Sequence, residues 1–280
     1  MRFLKLALQN GLAWFGWRLS RLEPNALAAD GSRIVWRVFY RDHCFQCFKG
    51  DVITEKILAG KGFEDQLADI LKCCTDPNRP DVIEVGANIG TTFITVAQDY
   101  PALRFHCVEP VPEFYDLLKK NAATYAASNA RLYPLALAAQ ADSEIKIHTL
   151  LGTAGATRRF DGYIDAVLTM RSQSLDSVFA AARPSLVKID VDGFELEVLK
   201  GGKKLLSTWR PLLYLEYDLA IMKRVGSSAE ELHTLLQELG YRKIQVWDTD
   251  DKNLGELTSF EELKRLAQSL PFYANVLFAP

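Results

Sequence analysis

The chain has 280 residues, of which 49% are hydrophobic and 24% are charged, with 35 acidic side chains against 33 basic ones. This length and composition are those of a globular protein that buries a substantial core in one full domain rather than two. The net charge of −2 provides no general attraction to a polyanion, so nucleic acid is not an expected partner.

Residues 1–22 combine basic and apolar side chains, and the first acidic residue is Glu23. No apolar run in them reaches the roughly 18 residues that a membrane-spanning helix needs, and the cleavage pattern of a signal peptide is missing. Two predictions stay open: a helix that packs on the domain, and a basic amphipathic helix on an anionic membrane surface. The expected location is the cytoplasm, with peripheral membrane contact as the alternative.

The five cysteines do not indicate a disulfide framework, because their number is odd and the chain is long. Cys44 and Cys47 form a C-x-x-C, whereas Cys73 and Cys74 are adjacent and would converge poorly on one metal ion. We therefore predict reduced, buried thiols and no metal site.

Strands and helices are predicted to alternate along most of the chain. A strand over residues 33–40 and a helix over 63–74 come first, and prolines end that helix. Further strands are predicted over 81–85, 104–108, 131–136, 144–149, 185–189 and 212–216, and helices over 91–99, 112–127, 175–182, 195–206 and 229–239. Residues 243–247 and 274–278 are predicted to pair as a hairpin. The alternation predicts an α/β fold with a doubly wound, mostly parallel sheet and an antiparallel edge hairpin. Residues 1–60 are predicted to be an N-terminal extension, and residues 61–280 the main domain.

A glycine-rich loop, Glu84-Val-Gly-Ala-Asn-Ile-Gly90, follows the strand over residues 81–85. Gly86 allows a sharp turn, and Gly90 allows a helix to begin close to a ligand. The loop differs from the G-x-G-x-x-G loop that binds a pyrophosphate, so a ligand without phosphates is expected. Glu109 ends the next strand, at the spacing of an acid that binds ribose hydroxyls. These features predict S-adenosylmethionine (SAM) as the cofactor. Glu84 is predicted either to contact the methionine amine or to satisfy nearby backbone amides.

Residues 185–202 contain the densest group of charged side chains in the sequence. Lys188 and Asp190 point to the same face of the predicted strand, because side chains alternate with period two. Asp192 follows in the turn, and Gly193 is expected to begin the next helix. A structural salt bridge between Lys188 and Asp190, or a cation site that includes Asp192, is the alternative to a catalytic role.

Glu216 ends the strand over residues 212–216 and is expected beside Asp190 across the top of the sheet. Methyl transfer to a hydroxyl needs in-line positioning and a group that takes the proton of the alcohol. Asp190, Glu216 and Lys188 are the candidates for this chemistry. His148 and His233 are weaker candidates, because a lone histidine on a helix is more often a surface residue or one satisfied within the fold.

Four motifs in this order resemble the FkbM-type SAM-dependent methyltransferases. They are Asp81-Val-Ile-Glu-Val-Gly-Ala-Asn-Ile-Gly-Thr91, Val108-Glu-Pro110, Ser174-Leu-Asp176 and Leu186-Val-Lys-Ile-Asp-Val-Asp-Gly-Phe-Glu-Leu-Glu-Val-Leu-Lys-Gly201. The likeness runs from about Phe63 to Phe278 and excludes the first 50 residues. It implies a class I methyltransferase fold and O-methylation of a hydroxyl on a sugar or a secondary metabolite.

The resemblance also implies roles for individual residues. Glu84, Gly86, Asn88, Gly90 and Glu109 would be the SAM contacts, and Lys188, Asp190 and Glu216 would lie at the active centre. The family usually has Glu where this chain has Asp192, which weakens the case for a direct role of that carboxylate. The acidic turn that is common before the strand over residues 144–149 is missing, so the adenine contacts stay unassigned.

Three functions are compatible with these features. The first is a SAM-dependent O-methyltransferase that acts on a hydroxylated small molecule or glycan. The second is a non-catalytic scaffold that keeps the fold and is tethered through its N-terminal helix. The third, a dehydrogenase, conflicts with the missing pyrophosphate-binding loop.

Overall fold

The computed structural model describes residues 33–60, 64–125, 128–150, 153–155 and 166–280. The strands are β1 (Val35–Tyr40), β2 (His43–Phe48), β3 (Asp81–Val85), β4 (Arg104–Val108), β5 (Ala130–Tyr133), β6 (Ala136–Leu137), β7 (Glu144–Leu150), β8 (Thr153–Gly155), β9 (Ala166–Gln173), β10 (Pro184–Ile189), β11 (Leu212–Tyr217), β12 (Lys243–Trp247), β13 (Asn253–Leu257) and β14 (Ala274–Ala279). The helices are α1 (Val52–Leu58), α2 (Leu67–Leu71), α3 (Thr91–Ala97), α4 (Pro112–Thr124), α5 (Leu175–Val178), α6 (Glu195–Lys200), α7 (Lys203–Trp209), α8 (Leu219–Val225), α9 (Ala229–Glu238) and α10 (Phe260–Ser269). The helix predictions for residues 1–22 lie outside the described residues.

Eight strands form the central sheet in the order β13-β12-β14-β11-β10-β3-β4-β5. Strands β5, β4, β3, β10 and β11 are parallel, whereas β14 is antiparallel to both β11 and β12. The strand order reverses between β3 and β10, and in such sheets ligands bind outside the carboxyl ends of the strands at that point. The predicted doubly wound, mostly parallel sheet is confirmed.

The predicted hairpin needs a correction. Strands β12 and β14 do pair antiparallel, but β13 and α10 separate them in the chain. Strand β14 lies inside the sheet between β11 and β12, and the edge is formed by β13. Local patterning could not show this, because β13 is only partly buried and pairs with β12 alone.

Two hydrophobic clusters cover the two faces of the sheet. On one face, Phe105 of β4 and Tyr214 of β11 share a cluster with Phe93 of α3 and Phe114 of α4. On the other face, the cluster comprises strand residues such as Val187 together with residues of α6, α7 and α9. Each large apolar side chain that is fully buried contributes roughly 1.5–3 kcal/mol to folding. The two clusters therefore hold the sheet between its layers of helices.

Strands β1 and β2 and helix α1 pack on the first of these clusters. Phe45 and Phe48 of β2 belong to it. The buried side chain of Asn121 in α4 accepts a hydrogen bond from the backbone N–H of Gln46 at 2.8 Å and donates to its carbonyl at 3.0 Å. Apolar contacts and hydrogen bonds thus attach the described part of the predicted extension to the main domain.

Some predicted elements are shorter or are divided in the structure. The helix expected over residues 63–74 is only α2, and the strand expected over 131–136 becomes β5 and β6 on either side of Pro134. The helix expected over residues 195–206 is divided into α6 and α7 at Gly201 and Gly202. A Cβ atom on Gly201 would lie 2.1 Å from the carbonyl oxygen of Ala138, so tertiary packing requires glycine there.

The five cysteines are free thiols, and three of them are buried. The prediction of buried thiols is wrong for Cys73, which is exposed, and Cys44 is only half-buried. Cys44 and Cys47 are three positions apart in β2 and therefore point to opposite faces of the strand. Over the described ranges, no three His, Cys, Asp or Glu side chains are grouped to hold a metal ion, and no helix is long and apolar enough to cross a membrane.

Asp81 connects the amino ends of three neighbouring strands. Its carboxylate accepts hydrogen bonds from Arg104 Nε at 2.8 Å and from the backbone N–H of Arg183 at 2.7 Å, and lies 2.9 Å from His106 Nε2. Burial acts to raise the pKa of Asp81, but the hydrogen bonds from His106, Arg104 and Arg183 outweigh burial and hold the pKa below its usual range. The ionised form therefore stabilises the folded state.

We expect Asp81→Asn to lower the free energy of unfolding by about 2–4 kcal/mol near neutral pH, because buried donors lose a charged acceptor. Since the folded-state pKa lies below the unfolded value, this stabilisation is present above about pH 4 and is lost as the pH falls further. Urea unfolding at a series of pH values measures both effects. The exposed Asp76→Asn is the control and should keep the acid dependence of the original protein. An Asp81→Asn variant with an unchanged acid dependence would contradict this assignment.

Candidate active site

A cavity of about 460 Å³ opens outside the carboxyl ends of β3, β4, β10 and β11. Its volume is within the range of small-molecule sites, roughly 300–1,000 Å³. The predicted site residues that line it are Gly86, Asn88, Glu109, Lys188, Asp190 and Glu216. Glu84 and Gly90 were predicted as SAM contacts but do not line it.

The glycine loop occupies a narrow space between the ends of β4 and β10. The backbone N–H of Gly86 donates to the carbonyl of Val108 at 3.0 Å, and its φ is +87°. A Cβ atom at Gly86 would lie 1.8 Å from the carbonyl oxygen of Asp190. The sharp turn predicted from the sequence is confirmed, and the close approach of two loops is the reason for it.

Gly90 differs from Gly86 in its surroundings. It precedes α3 with a φ of +88°, and a Cβ atom there would lie 2.7 Å from Ile94 Cδ1 and 2.8 Å from Leu118 Cδ1. Gly90 therefore allows α3 to pack against α4. Its predicted contact with a ligand stays a prediction, because the residue lies behind the cavity.

Glu109 lies at the end of β4 and is 4% exposed. Its Oε2 accepts a hydrogen bond from the N–H of Asn88 at 2.9 Å, and its Oε1 accepts one from the N–H of Val111 at 2.8 Å. Burial raises the pKa of Glu109 to about 7, although these two bonds oppose the rise. Each carboxylate oxygen can accept a second bond, so Glu109 can still bind hydroxyl groups from the cavity.

Glu84 lies in β3, is 3% exposed and faces the interior. Its Oε1 accepts a hydrogen bond from the Thr92 hydroxyl and lies 3.6 Å from the ammonium nitrogen of Lys188. Its Oε2 is buried without a hydrogen-bond partner. The bonds formed by Glu84 are thus to side chains, and one oxygen is available to a further donor.

Lys188 is the central cation of the site and its side chain is 3% exposed. Its Nζ lies 3.3 Å from Asp190 Oδ2, which confirms that both side chains share one face of β10. Glu64 Oε2 is closer still, at 3.1 Å. Burial acts to lower the pKa of Lys188, but the three surrounding carboxylates outweigh it and raise the pKa well above its ordinary value.

Glu64 is a cavity residue that the sequence analysis missed. It belongs to the segment between α1 and α2, has a φ of +50° and lines the cavity. Burial raises its pKa to about 7, while the charge of Lys188 opposes this rise. The one available signal was general: a lysine within a buried strand requires acidic partners, and the sequence does not say which ones.

Acidic side chains from β10 and β11 form another side of the cavity. The register pairs Ile189 with Leu215, so Asp190 and Glu216 are neighbours as predicted. Burial, together with the nearby carboxylates of Asp190 and its neighbours, raises the pKa of Glu216 and that of Asp192 well above the ordinary values. These surroundings therefore favour the protonated forms of Glu216 and Asp192.

The turn after β10 differs slightly from its prediction. Gly193 was expected to begin a helix, but α6 begins at Glu195 and Gly193 lies in the turn with a φ of +93°. The Glu195 carboxylate accepts hydrogen bonds from the N–H groups of Val191 and Gly193, both at 3.1 Å. These bonds close the turn and orient Asp192 toward the cavity.

The remaining lining residues divide into an apolar and a polar set. The apolar set follows β4 and β5 and comprises Phe114, Leu135, Leu137, Ile145 and Ile147. The polar set lies near β11 and β14 and includes Lys56, Asp250, Asp251 and Tyr273. The Lys56 ammonium donates to the Tyr273 hydroxyl at 3.1 Å. The sequence analysis did not single out either set, because these residues are dispersed along the chain.

Of the two histidines proposed as weaker candidates, His233 does not line the cavity. His233 is buried on the opposite face, where its Nε2 lies 2.8 Å from the Tyr217 hydroxyl. This is the satisfied role that a lone histidine on a helix usually has. The side chain of His148 lies outside the described part of the structure.

Comparison with known proteins identifies the family of the chain. The methyltransferase FkbM domain matches residues 84–243, which is more than half of the chain. The chain belongs to the FkbM methyltransferase family. A similar characterised sequence is methyltransferase sdnD of Sordaria araneosa, which is 27% identical over 233 residues, or 68% of this chain and 80% of that protein.

Solved structures with a similar fold share little sequence with this chain. A methyltransferase FkbM from Methylobacillus flagellatus KT is 14% identical with a TM-score of 0.46, and the match covers 72% of this chain and 44% of that one. The magnesium protoporphyrin IX methyltransferase ChlM from Synechocystis PCC 6803 is 14% identical with a TM-score of 0.43, over 77% and 76% of the two chains. The chain therefore spans less than half of the M. flagellatus protein.

We expect Gly86→Ala in this methyltransferase to lower the free energy of unfolding by about 2–4 kcal/mol, because its Cβ would collide with the carbonyl of Asp190. Gly226→Ala is a matched control, since Gly226 has a φ of +78° but no atom within 4 Å of the place that a Cβ would occupy. The control should show only the cost of a left-handed backbone, roughly 1 kcal/mol. Urea unfolding measures both variants, and equal losses would contradict the collision.

Proposed function

We propose that the cavity binds SAM and that the protein transfers a methyl group from it to a hydroxyl of a small molecule or glycan. The observation that carries the proposal is that Glu109 and the Lys188–Asp190 pair line one cavity at the point where the strand order reverses. Membership of the FkbM methyltransferase family supports the same activity.

The half of the cavity near β3, β4 and β5 has the chemistry that a nucleoside and an amino acid need. Glu109 offers carboxylate lone pairs to ribose hydroxyls, and the apolar residues after β5 offer a surface for an adenine ring. Glu84 does not line the cavity, but its Oε2 is a buried acceptor without a partner, of the kind that an ammonium group satisfies. On this proposal, Leu135 and Leu137 contact the adenine ring, for which the sequence analysis assigned no residues.

The half near β10, β11 and β14 is the proposed acceptor site. Neighbouring strands lie about 4.8 Å apart, so β14 lies roughly 19 Å from β4 across the sheet, enough for cofactor and acceptor side by side. Carboxylates outnumber the two lysines in the lining, and Lys188 is already surrounded by three of them. This charge favours a neutral, hydroxyl-bearing acceptor over an anionic one.

The residues at the centre have separate roles in the proposed reaction. SAM supplies an electrophilic methyl group on a positively charged sulfur. Asp190 accepts the proton of the acceptor hydroxyl, and the ammonium of Lys188, 3.3 Å away, keeps its carboxylate in place. Glu216, whose pKa is raised by burial and by the neighbouring carboxylates, orients the acceptor through a hydrogen bond.

Calorimetric titration with SAM, with NADH as the control ligand, tests the cofactor. SAM binding without NADH binding supports the proposal, and release of S-adenosylhomocysteine in the presence of a panel of hydroxyl compounds tests the reaction. Failure to bind SAM would favour a non-catalytic scaffold. SAM binding without release of product from any compound would contradict the transferase assignment.

We expect Glu109→Ala to weaken SAM binding by about 1–3 kcal/mol, because the ribose hydroxyls lose a charged acceptor. Calorimetry measures the affinity, and thermal unfolding shows whether loss of the bonds to Asn88 and Val111 also weakens the fold. The exposed Glu113→Ala in α4 is the matched control and should bind SAM normally. A Glu109→Ala variant with unchanged affinity would remove Glu109 from the cofactor site.

We expect Asp190→Asn to retain SAM affinity but to slow methyl transfer by about 10²–10⁴-fold, since an amide cannot take the acceptor proton. Calorimetry and the rate of S-adenosylhomocysteine release measure the two effects separately. The exposed Asp142→Asn serves as the control, and its positive φ of +65° suits asparagine as well as aspartate. Normal turnover of Asp190→Asn would show that the Lys188–Asp190 pair is structural.

A further inference from the structure

Exposed apolar side chains are concentrated near the amino end of the described chain. Across the residues that the structure describes, the large hydrophobic side chains exposed to solvent are Val35, Trp36, Phe39, Leu58, Val167 and Phe272. Four of these six belong to β1 and α1. Single exposed apolar residues are common on proteins, whereas a group of them marks an interaction surface. We define the β1–α1 surface as Val35, Trp36, Arg37, Phe39 and Leu58.

Strand β1 presents two different faces. Val38 and Tyr40 are buried against the domain, whereas Val35, Arg37 and Phe39 point outward. Phe39 is 78% exposed. This outward face thus carries an aromatic side chain, Phe39, and a basic one, Arg37. Beside it, Lys49 Nζ lies 5.2 Å from the centre of the Trp36 ring.

Helix α1 lies between the β1–α1 surface and the cavity. Helix α1 carries Leu58 and also Lys56, which lines the cavity and donates to the Tyr273 hydroxyl. Lys56 and Leu58 are two positions apart in the chain, so their side chains point to opposite sides of the helix. Phe272, beside Tyr273, is itself exposed and lines the cavity.

We propose that the β1–α1 surface docks on an anionic lipid membrane. Aromatic side chains such as Trp36 and Phe39 suit the interface between headgroups and acyl chains. Arg37 and Lys49 would contact anionic headgroups.

The sequence that precedes β1 favours a lipid surface over other partners. Residues 1–22 contain the bases Arg2, Lys5, Arg18 and Arg21 and no acid. Only ten residues separate this segment from Arg33, so the chain between them spans at most about 36 Å. Two weak membrane contacts that a short stretch of chain joins reinforce each other. Two copies of such a basic surface would repel each other.

Co-sedimentation of the full chain with vesicles tests the proposal. Phosphatidylcholine vesicles with phosphatidylglycerol are compared with vesicles of phosphatidylcholine alone. We expect binding to the anionic vesicles that weakens with added salt. Phe39→Asp should reduce this binding about tenfold or more, because it removes an inserted ring and adds a repelled charge. Leu58→Asp, in α1, should also reduce it.

Val167→Asp is the matched control, because Val167 is a strand residue that is 48% exposed outside the β1–α1 surface. It should bind vesicles like the original protein. Absence of vesicle binding by the original protein would overturn the proposal. It would also be overturned if Phe39→Asp and Leu58→Asp both bound vesicles as strongly as the original protein. Light scattering without lipid tests the remaining alternative. If the original protein is a dimer and Phe39→Asp is a monomer, the β1–α1 surface binds a second copy of the chain, and the membrane proposal is overturned.

Discussion

Lys188 places an ammonium group in the interior of a sheet, where removing a charge from water costs several kcal/mol unless acids surround it. Three carboxylates do so, and they come from different parts of the chain. Glu84 lies on the neighbouring strand β3, Asp190 directly follows the end of β10, and Glu64 comes from the segment before α2. The need to neutralise Lys188 thus connects the strand ends to the part of the chain that precedes the sheet.

The same group of charges influences the chemistry of the cavity. Lys188 contacts three acids, so its charge is already balanced and contributes little attraction for an anionic ligand. Beyond it, burial and mutual repulsion raise the pKa of Glu216 and that of Asp192. The cavity therefore contains carboxyl groups whose protonated forms are favoured, beside the carboxylates that surround Lys188. It can therefore accept and donate hydrogen bonds, which is the property that recognition of a hydroxyl compound needs.

Close packing of the loops keeps these groups together. The backbone of Gly86 lies so near the carbonyl of Asp190 that no side chain fits between them. Glu109 then fixes the glycine loop through the N–H of Asn88 and fixes the start of α4 through the N–H of Val111. The two halves of the cavity, which we propose for cofactor and acceptor, are consequently positioned by one continuous set of contacts.

The sequence by itself determined the parallel strands β3, β4, β10 and β11 and the helices α3 and α4, because buried parallel strands and amphipathic helices are local patterns. It also determined that Lys188 and Asp190 share a face, since side chains alternate along a strand, and that Glu216 lies beside Asp190 if the strands are neighbours. Only the tertiary structure decided that β14 enters the sheet between β11 and β12, that Glu64 pairs with Lys188, and that the apolar set after β5 and the polar set around Tyr273 line one cavity. These features depend on contacts between residues far apart in the chain, and a local pattern carries no information about which distant partner satisfies a buried charge or an unpaired strand.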